Sequence, residues 1–356
     1  MQETNTDSTR ALASIQLVDS VKKHTGADTL ELTTILGWQV VTKIGEAREG
    51  AKIVYFEVDS LLPADAPWLL KSIKEAIDSR KLTSHYRVKT IKIRGELSQG
   101  LITPLENFPS DFSSMEIGTN LTSLLNIKQY EAKCERQATS PKVKVKEGSF
   151  IPFPTFLLRK TEEVRIQSYP KLLKELTGRP YYATLKLDGA SASYLINPQT
   201  QEFMICSHNR VCRKDDFNTI AKPYWLIALK YKIEEKLRIN PNLAIQGEIC
   251  GPKIQKNLLG LTEYDFFIFN IIDLRTSSRL EFPTMISLCQ DVLALKHVPI
   301  EEASDDFRYE SIKSLLIKAE GLYSETKNQR EGLVFRSKDQ AISFKVINNE
   351  YLLKHQ

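Results

Sequence analysis

Short alternating runs dominate the first third of the chain. Segments 15–21, 30–36, 38–41 and 52–58 switch between apolar and polar at nearly every second residue, the period of a strand with one buried face. Gly26, Gly37, Gly45, Gly50 and Gly95 punctuate them, so the pattern over 11–130 predicts a small barrel of short strands. Within it, Leu69, Leu70, Ile73 and Ile77 share one face of a predicted helix over 66–79. Residues 1–10 are polar and predict disorder. Residues 131–149 are charged, with no period long enough to build a core, and read as a linker. From 150 to 356 strands mix with helices. One helix is predicted over 219–238, with Trp225, Leu229, Ile233 and Leu237 four apart and stop signals at Pro241 and Asn242. A second starts near Pro283 and carries Met285, Leu288, Val292 and Leu295, and a third covers 309–323. There is no internal repeat.

Composition changes this picture little. A length of 356 residues fits two or three domains, and 42% hydrophobic with 26% charged residues is ordinary for a soluble globular protein. A net charge of +5 does not by itself argue for nucleic acid; local clusters matter more. The five cysteines, Cys134, Cys206, Cys212, Cys250 and Cys289, are scattered and never spaced CxxC, which predicts neither a disulfide framework nor a structural zinc site and favours a reducing compartment. The start is polar and no apolar run reaches membrane-spanning length, so the expectation is a soluble, intracellular protein.

Candidate chemistry begins at Lys186-Leu187-Asp188-Gly189, at the end of an apolar alternating run. On a strand Lys186 and Asp188 project to the same side, and glycine lets the backbone turn closely around a ligand. A lysine can act as a covalent nucleophile once it loses a proton, and burial or nearby cations lower its pKa from about 10.4. Taken alone, Asp-Gly after a strand is more often an ordinary hairpin turn. Four further segments follow in order: Glu248 after the apolar run 243–247, the aromatic run 266–269, Arg330-Glu331-Gly332, and 342–346 with Lys345.

This series resembles the covalent nucleotidyltransferases, which comprise ATP-dependent RNA and DNA ligases and mRNA capping enzymes. With the barrel ahead of the catalytic segments, and with the chain ending about ten residues after Lys345, the arrangement is similar to the RNA ligases that carry an N-terminal OB domain, typified by the Deinococcus and Naegleria enzymes. The resemblance implies an α+β, β-rich fold. An OB-fold barrel over 11–130 precedes a nucleotidyltransferase (ATP-grasp-like ligase) domain over 150–356, built of antiparallel sheets with flanking helices.

It also implies roles. Lys186 attacks ATP and carries AMP; Asp188, Glu248 and Glu331 gather Mg²⁺ or Mn²⁺ through water; Lys345 holds the α-phosphate. Gly189, Arg165 and Arg210 line the nucleotide. Phe269 stacks on adenine with Val334 opposite, and Phe267 is either a partner in that role or core. His208 is read as local structure. The substrate implied is RNA with a 3′-OH/5′-phosphate nick and ribonucleotides on the 3′-OH side. In the N-terminal part, 18–32 is similar to tRNA-binding OB modules. The basic strand over 86–95, with Arg87, Lys89, Lys92 and Arg94, either contacts a nucleic-acid backbone or is a solvated edge strand. Two departures stand out: Leu185 occupies a position where related RNA ligases often place an adenine-contacting glutamate, and Lys345 is single where many relatives have two lysines. A capping-type guanylyltransferase, a DNA ligase and a decayed RNA-binding protein are the rival readings.

Overall fold

The computed structural model describes residues 10–80, 84–130, 151–214 and 221–355. Two compact units emerge, Met1–Ala132 with Leu353–Gln356, and Lys133–Leu352. The segments expected to be disordered (1–9) and to form a linker (131–149) lie outside the described residues.

The first unit holds β1 (Ala13–Leu17), β2 (Ser20–Lys23), β3 (Leu30–Ile35), β4 (Trp38–Lys43), β5 (Lys52–Phe56), β6 (Ser60–Pro63), α1 (Lys71–Ser79), β7 (His85–Arg87), β8 (Thr90–Ile93), β9 (Glu96–Gln99), β10 (Leu101–Pro104) and β11 (Lys128–Gln129). All its strand pairs are antiparallel, in the orders β1-β5-β10, β2-β3-β4, β11-β6-β7 and β8-β9. β5 is buried on both faces. Ile53 and Tyr55 join Trp38 and Val40, while Val54 and Phe56 join a second core where Phe56, Trp68, Phe108 and Phe112 stack at centroid spacings of 4.9, 5.6 and 4.9 Å.

Three expectations need correction here. Segment 15–21 is two strands broken at Asp19. The helix expected over 66–79 starts at Lys71, because Leu70 keeps an extended ψ of 147°. The basic strand over 86–95 is likewise two strands, β7 and β8, and it ends in a left-handed Arg94.

The second unit holds α2 (Lys171–Leu176), β12 (Tyr181–Lys186), β13 (Ala190–Ile196), β14 (Phe203–Ser207), α3 (Lys222–Lys230), α4 (Ile233–Ile239), β15 (Leu243–Cys250), β16 (Asp265–Asp273), β17 (Ser278–Arg279), α5 (Phe282–Ser287), β18 (Ile300–Ser304), α6 (Ile312–Ala319), β19 (Gly332–Ser337) and β20 (Ser343–Ile347); α7 (Asn349–His355) follows. The helix expected over 219–238 is two helices, separated at Lys232, whose φ of +49° no α-helix accommodates. Near Pro283 a short α5 passes into a π-turn over 288–292. The third helix is shorter than its hydrophobic pattern: Ser311 caps α6 by accepting from Ser314 N at 3.2 Å.

Two antiparallel sheets build this unit, β18-β12-β19-β20 and β14-β13-β15-β16-β17. Alternation decides what each face carries. In the four-stranded sheet Ala183, Leu333, Phe335, Phe344 and Val346 pack on Phe307, Leu315 and Ala319. The opposite face then carries Thr184, Lys186, Val334 and Lys345, with Lys186 paired to Gly332 and Thr184 to Val334, which itself faces Lys345. In the five-stranded sheet Tyr194, Ile245, Ile249, Phe266 and Ile268 pack with residues of α3 and α4. That leaves Glu248, Phe267 and Phe269 half-buried on the other face. Among the described residues no helix is long and apolar enough to cross a membrane, and the four described cysteines are buried and free of disulfides.

The pairing of β15 with β16 shifts register between Gln246 and Gly247. A Cβ on Gly247 would lie 2.5 Å from the Phe267 carbonyl oxygen and 2.6 Å from the Phe266 ring. We expect Gly247→Ala to destabilise the fold by about 2–3 kcal/mol. A urea midpoint equal to that of the wild type would contradict this.

Candidate active site

Lys186 ends β12, and its Nζ lies 2.7 Å from Glu331 Oε1, with the two side chains 28% and 14% exposed. The Glu331 backbone is clamped on both sides. Before it, the buried Arg330 donates to the carbonyls of Lys318 (2.6 Å), Glu320 (2.8 Å) and Ala319 (3.1 Å), the C-terminal end of α6. After it, Gly332 adopts φ +151°, and a Cβ there would lie 2.2 Å from the Val346 carbonyl oxygen. Asn348, fully buried, donates its backbone N–H to the Glu331 carbonyl and its side-chain amide to the Arg330 carbonyl, both at 2.9 Å.

The Asp188-Gly189 turn sits directly on Glu248. A Cβ on Gly189 would lie 2.5 Å from the Ile249 carbonyl oxygen and 2.7 Å from Glu248 Cγ, so glycine alone allows this approach. The Tyr351 hydroxyl donates to the Asp188 carboxylate. Tyr323 Oη donates to the Lys186 carbonyl (3.4 Å), and Gln255 Nε2 to the Gly189 carbonyl (3.4 Å).

One ammonium thus meets three carboxylates. Burial pushes Glu248 up to about 8 and Asp188 up to about 6; the Glu331 charge adds to both shifts and Lys186 opposes them. Burial pushes Lys186 down, but Glu331, Glu248 and Asp188 outweigh it and hold its pKa above the ordinary lysine value. This corrects the expectation of a depressed lysine: without ligands the amine stays charged, because its neighbours are anions. Glu331 Oε2 is buried and has no hydrogen-bond partner among the described residues. An orphaned carboxylate oxygen and two further carboxyls whose raised pKa values a nearby cation would bring down together fit a divalent cation. Among the described residues no group of three or more His, Cys, Asp or Glu is arranged to hold a metal ion directly; Mg²⁺ usually keeps several of its waters.

Phe267 and Phe269 both reach the open face of β16. The Lys296 amine lies 5.9 Å from the centre of the Phe267 ring, so that ring is already faced by a cation. Val334, 8% exposed, stands on the cleft face of the four-stranded sheet. Lys345 follows from register: its N–H donates to the Val164 carbonyl at 2.8 Å, and its backbone bridges Arg165 in parallel. The segment 159–168 is therefore tied to β20. Beneath it, Glu163 accepts from Arg336 (2.9 Å), lies 3.3 Å from Arg279 and accepts a short hydrogen bond from Ser343. Burial would raise this carboxyl, but the two guanidiniums hold it down at about 2. Arg336 also donates to the Phe269 carbonyl at 2.7 Å.

The structure therefore brings Lys186, Asp188, Gly189, Glu248 and Glu331 together, and places Val334, Lys345 and Arg165 by strand register. Arg210 lies in the turn 207–210, where its carbonyl accepts from Ser207 N at 2.8 Å. Neighbouring His208 stands 3.5 Å from Glu162, and Lys160 donates to Asn209 at 3.0 Å. Leu185 is turned away from Lys186 toward Leu333, on the other face of the sheet. In the first unit Arg87 is engaged inside its own fold, bonded to Asp59 at 2.7 Å and 3.4 Å from the Tyr130 ring centre; Lys89, Lys92 and Arg94 are exposed. The sequence reading missed Glu163, Arg336, Asn348, Tyr323 and Tyr351. For Arg336 a signal existed, since it lies two residues beyond Val334 and so on the same face.

A model of an OB-fold domain matches residues 12–105, and a model of RNA ligase matches residues 179–347. Comparison with curated proteins gives no match. Among solved structures, the chain is similar to Naegleria gruberi RNA ligase with PPi, at 31% identity and a TM-score of 0.83, covering 98% of this chain and 99% of that one. A lysine-to-methionine variant of that enzyme with AMP and Mn, and a lysine-to-alanine variant with ATP and Mn, match at 30% identity and TM-scores of 0.83, each covering 97% of this chain and 99% of its own.

A folded-state pKa of about 8 for Glu248 against 4.5 unfolded means that the fold keeps a proton the unfolded chain releases. Its contribution is present below pH 4.5 and lost as pH rises through 8. We expect the ligand-free wild type to lose more thermal stability between pH 5 and 8 than Glu248→Gln does. Identical pH dependence in scanning calorimetry would refute the raised carboxyl.

Proposed function

The chain belongs to the RNA ligase family, and on that premise we propose that it seals 3′-OH/5′-phosphate nicks in RNA with ATP, through an AMP carried on Lys186. The observation that carries this reading is the Lys186 amine held against Glu331 at 2.7 Å, in a cleft ringed by Asp188 and Glu248.

Lys186 Nζ gives up a proton and attacks the α-phosphorus of ATP. A nitrogen–phosphorus bond forms and the bond to the leaving pyrophosphate oxygen breaks. A second proton leaves the nitrogen, giving a phosphoramidate. An oxygen of the RNA 5′-phosphate then attacks the same phosphorus and releases the lysine, and the 3′-hydroxyl finally attacks the activated 5′-phosphate and expels AMP. Each step is an in-line displacement at a crowded, anionic phosphorus, so positioning and charge neutralisation carry most of the acceleration. Asp188, Glu248 and Glu331 would hold hydrated Mg²⁺ or Mn²⁺, whose charge offsets the carboxylates and lowers the Lys186 pKa.

Phe269 and Val334, on the facing sheets, are the proposed walls for adenine. Lys345 is the proposed contact to the α-phosphate. Arg165 and Arg210 border the segments expected at the sugar and the RNA end. The exposed Lys89, Lys92 and Arg94 of the OB-fold domain are the proposed contacts to the RNA backbone, and Arg87 is not among them, because its guanidinium is already engaged.

Intact-mass measurement after incubation with ATP and Mg²⁺ tests the reading. The wild type should gain the mass of one AMP and Lys186→Ala none. A guanylate adduct formed from GTP would point instead to a capping-type enzyme. Sealing of an all-deoxynucleotide nick as fast as one with a ribonucleotide 3′-end would point to a DNA ligase.

A further inference from the structure

Residues 251–260 leave β15 just beyond Glu248 and fold into three consecutive turns. Ile254 N donates to the Gly251 carbonyl (3.1 Å), Asn257 N to that of Ile254 (3.0 Å) and Gly260 N to that of Asn257 (2.8 Å). Lys253, Gln255 and Asn257 take φ of +63°, +46° and +47°. Asparagine tolerates this left-handed region, whereas lysine and glutamine enter it at a steric cost that glycine would avoid. Such strain concentrates where side chains are used for binding.

The loop also stands at the mouth of the nucleophile turn. Gln255 donates to the Gly189 carbonyl, and the Lys256 charge acts on Asp188. Beside the loop lies a groove of about 420 Å³, lined by Leu226, Lys230, Pro252, Lys253, Thr262 and Tyr264, with Glu263 also contributing. Lys230 is spent within it, 3.3 Å from the Glu263 carboxylate and bonded to the Tyr264 carbonyl at 2.9 Å. Lys253 is exposed and, among the described residues, has no ion-pair or hydrogen-bond partner. A groove with an aromatic wall, an aliphatic wall and an uncommitted ammonium suits one nucleotide, with the ring holding the base and the amine the phosphate.

We propose that this loop and groove dock the backbone of the RNA strand next to the joint, with Lys253 as the phosphate contact and Tyr264 as the platform for the neighbouring base. The proposal rests on the RNA ligase reading and adds a substrate site to it.

Fluorescence anisotropy with a labelled nicked RNA duplex and the full chain tests it. Lys253→Glu should weaken binding roughly tenfold, and Lys253→Gly should make the logarithmic salt dependence shallower by about one unit. Because glycine suits a left-handed position, Lys253→Gly should keep the wild-type melting temperature. Both variants should take up AMP from ATP at the wild-type rate, since Lys253 acts on RNA alone. Unchanged RNA affinity and salt slope in Lys253→Glu would overturn the proposal, as would a parallel loss of AMP uptake. A wild type that takes up no AMP would instead sink the ligase reading, and the binding data would still judge the loop.

Discussion

The catalytic unit depends on keeping three carboxylates and one amine together in a cleft half-closed to water. Like charges at this spacing repel strongly, and burial makes each ionised carboxyl costlier. The ligand-free protein eases the conflict in two ways: Lys186 keeps its proton against Glu331, and Glu248 and Asp188 resist ionisation. Neither solution suits the nucleophile proposed for Lys186. The resting cluster therefore favours arrival of positive charge from outside, which in the proposed reaction also frees the amine.

Holding such a cluster requires backbone that cannot relax away from it. Glu331 is fixed between Arg330, which caps the end of α6, and Gly332, whose conformation excludes a side chain. Asn348 closes the clamp from the far side of β20. Asp188 is steered by the Tyr351 hydroxyl, and the turn beneath it is pressed onto Glu248 by the absence of a side chain at Gly189. Each support is made by a buried arginine, a buried amide, a phenol or a glycine. All are groups whose hydrogen bonds or steric limits are satisfied in one geometry only.

Much of this was legible because a period of two sorts residues onto faces. Alternation through β12, β19 and β20 places Lys186, Val334 and Lys345 on one side and Leu185, Leu333 and Phe344 on the other, and β16 sorts Phe267 and Phe269 in the same way. What alternation does not carry is who meets whom across long separations. Glu163 bonds Arg336 and Ser343 through the docking of an irregular segment onto β20, and Tyr351 reaches Asp188 from a C-terminal helix. Neither contact has a periodic signature. Helix breaks were missed for a related reason: Lys232 lies within a continuous 3.6-residue pattern that fills one core from both α3 and α4, and nothing in that pattern marks its left-handed backbone.

Two half-buried glutamates, Glu163 and Glu248, show how scaffold and chemistry separate in one domain. Glu163 and Glu248 are the same residue type, each withdrawn from water and each surrounded by charge. Glu163 faces two guanidiniums and a hydroxyl, so its pKa falls to about 2, and its charge is spent in fixing Arg336 and through it the Phe269 carbonyl. Glu248 faces one ammonium that Glu331 and Asp188 also claim, and it rises to about 8. Paired charge makes the first a structural pin, and charge left over suits the second to the cation-binding role proposed for it. The same distinction sets Arg87, paired with Asp59 and stacked on Tyr130, apart from the exposed Lys89 near it. It also sets Lys230 apart from Lys253. A charged residue becomes available to a ligand when the fold positions it without neutralising it.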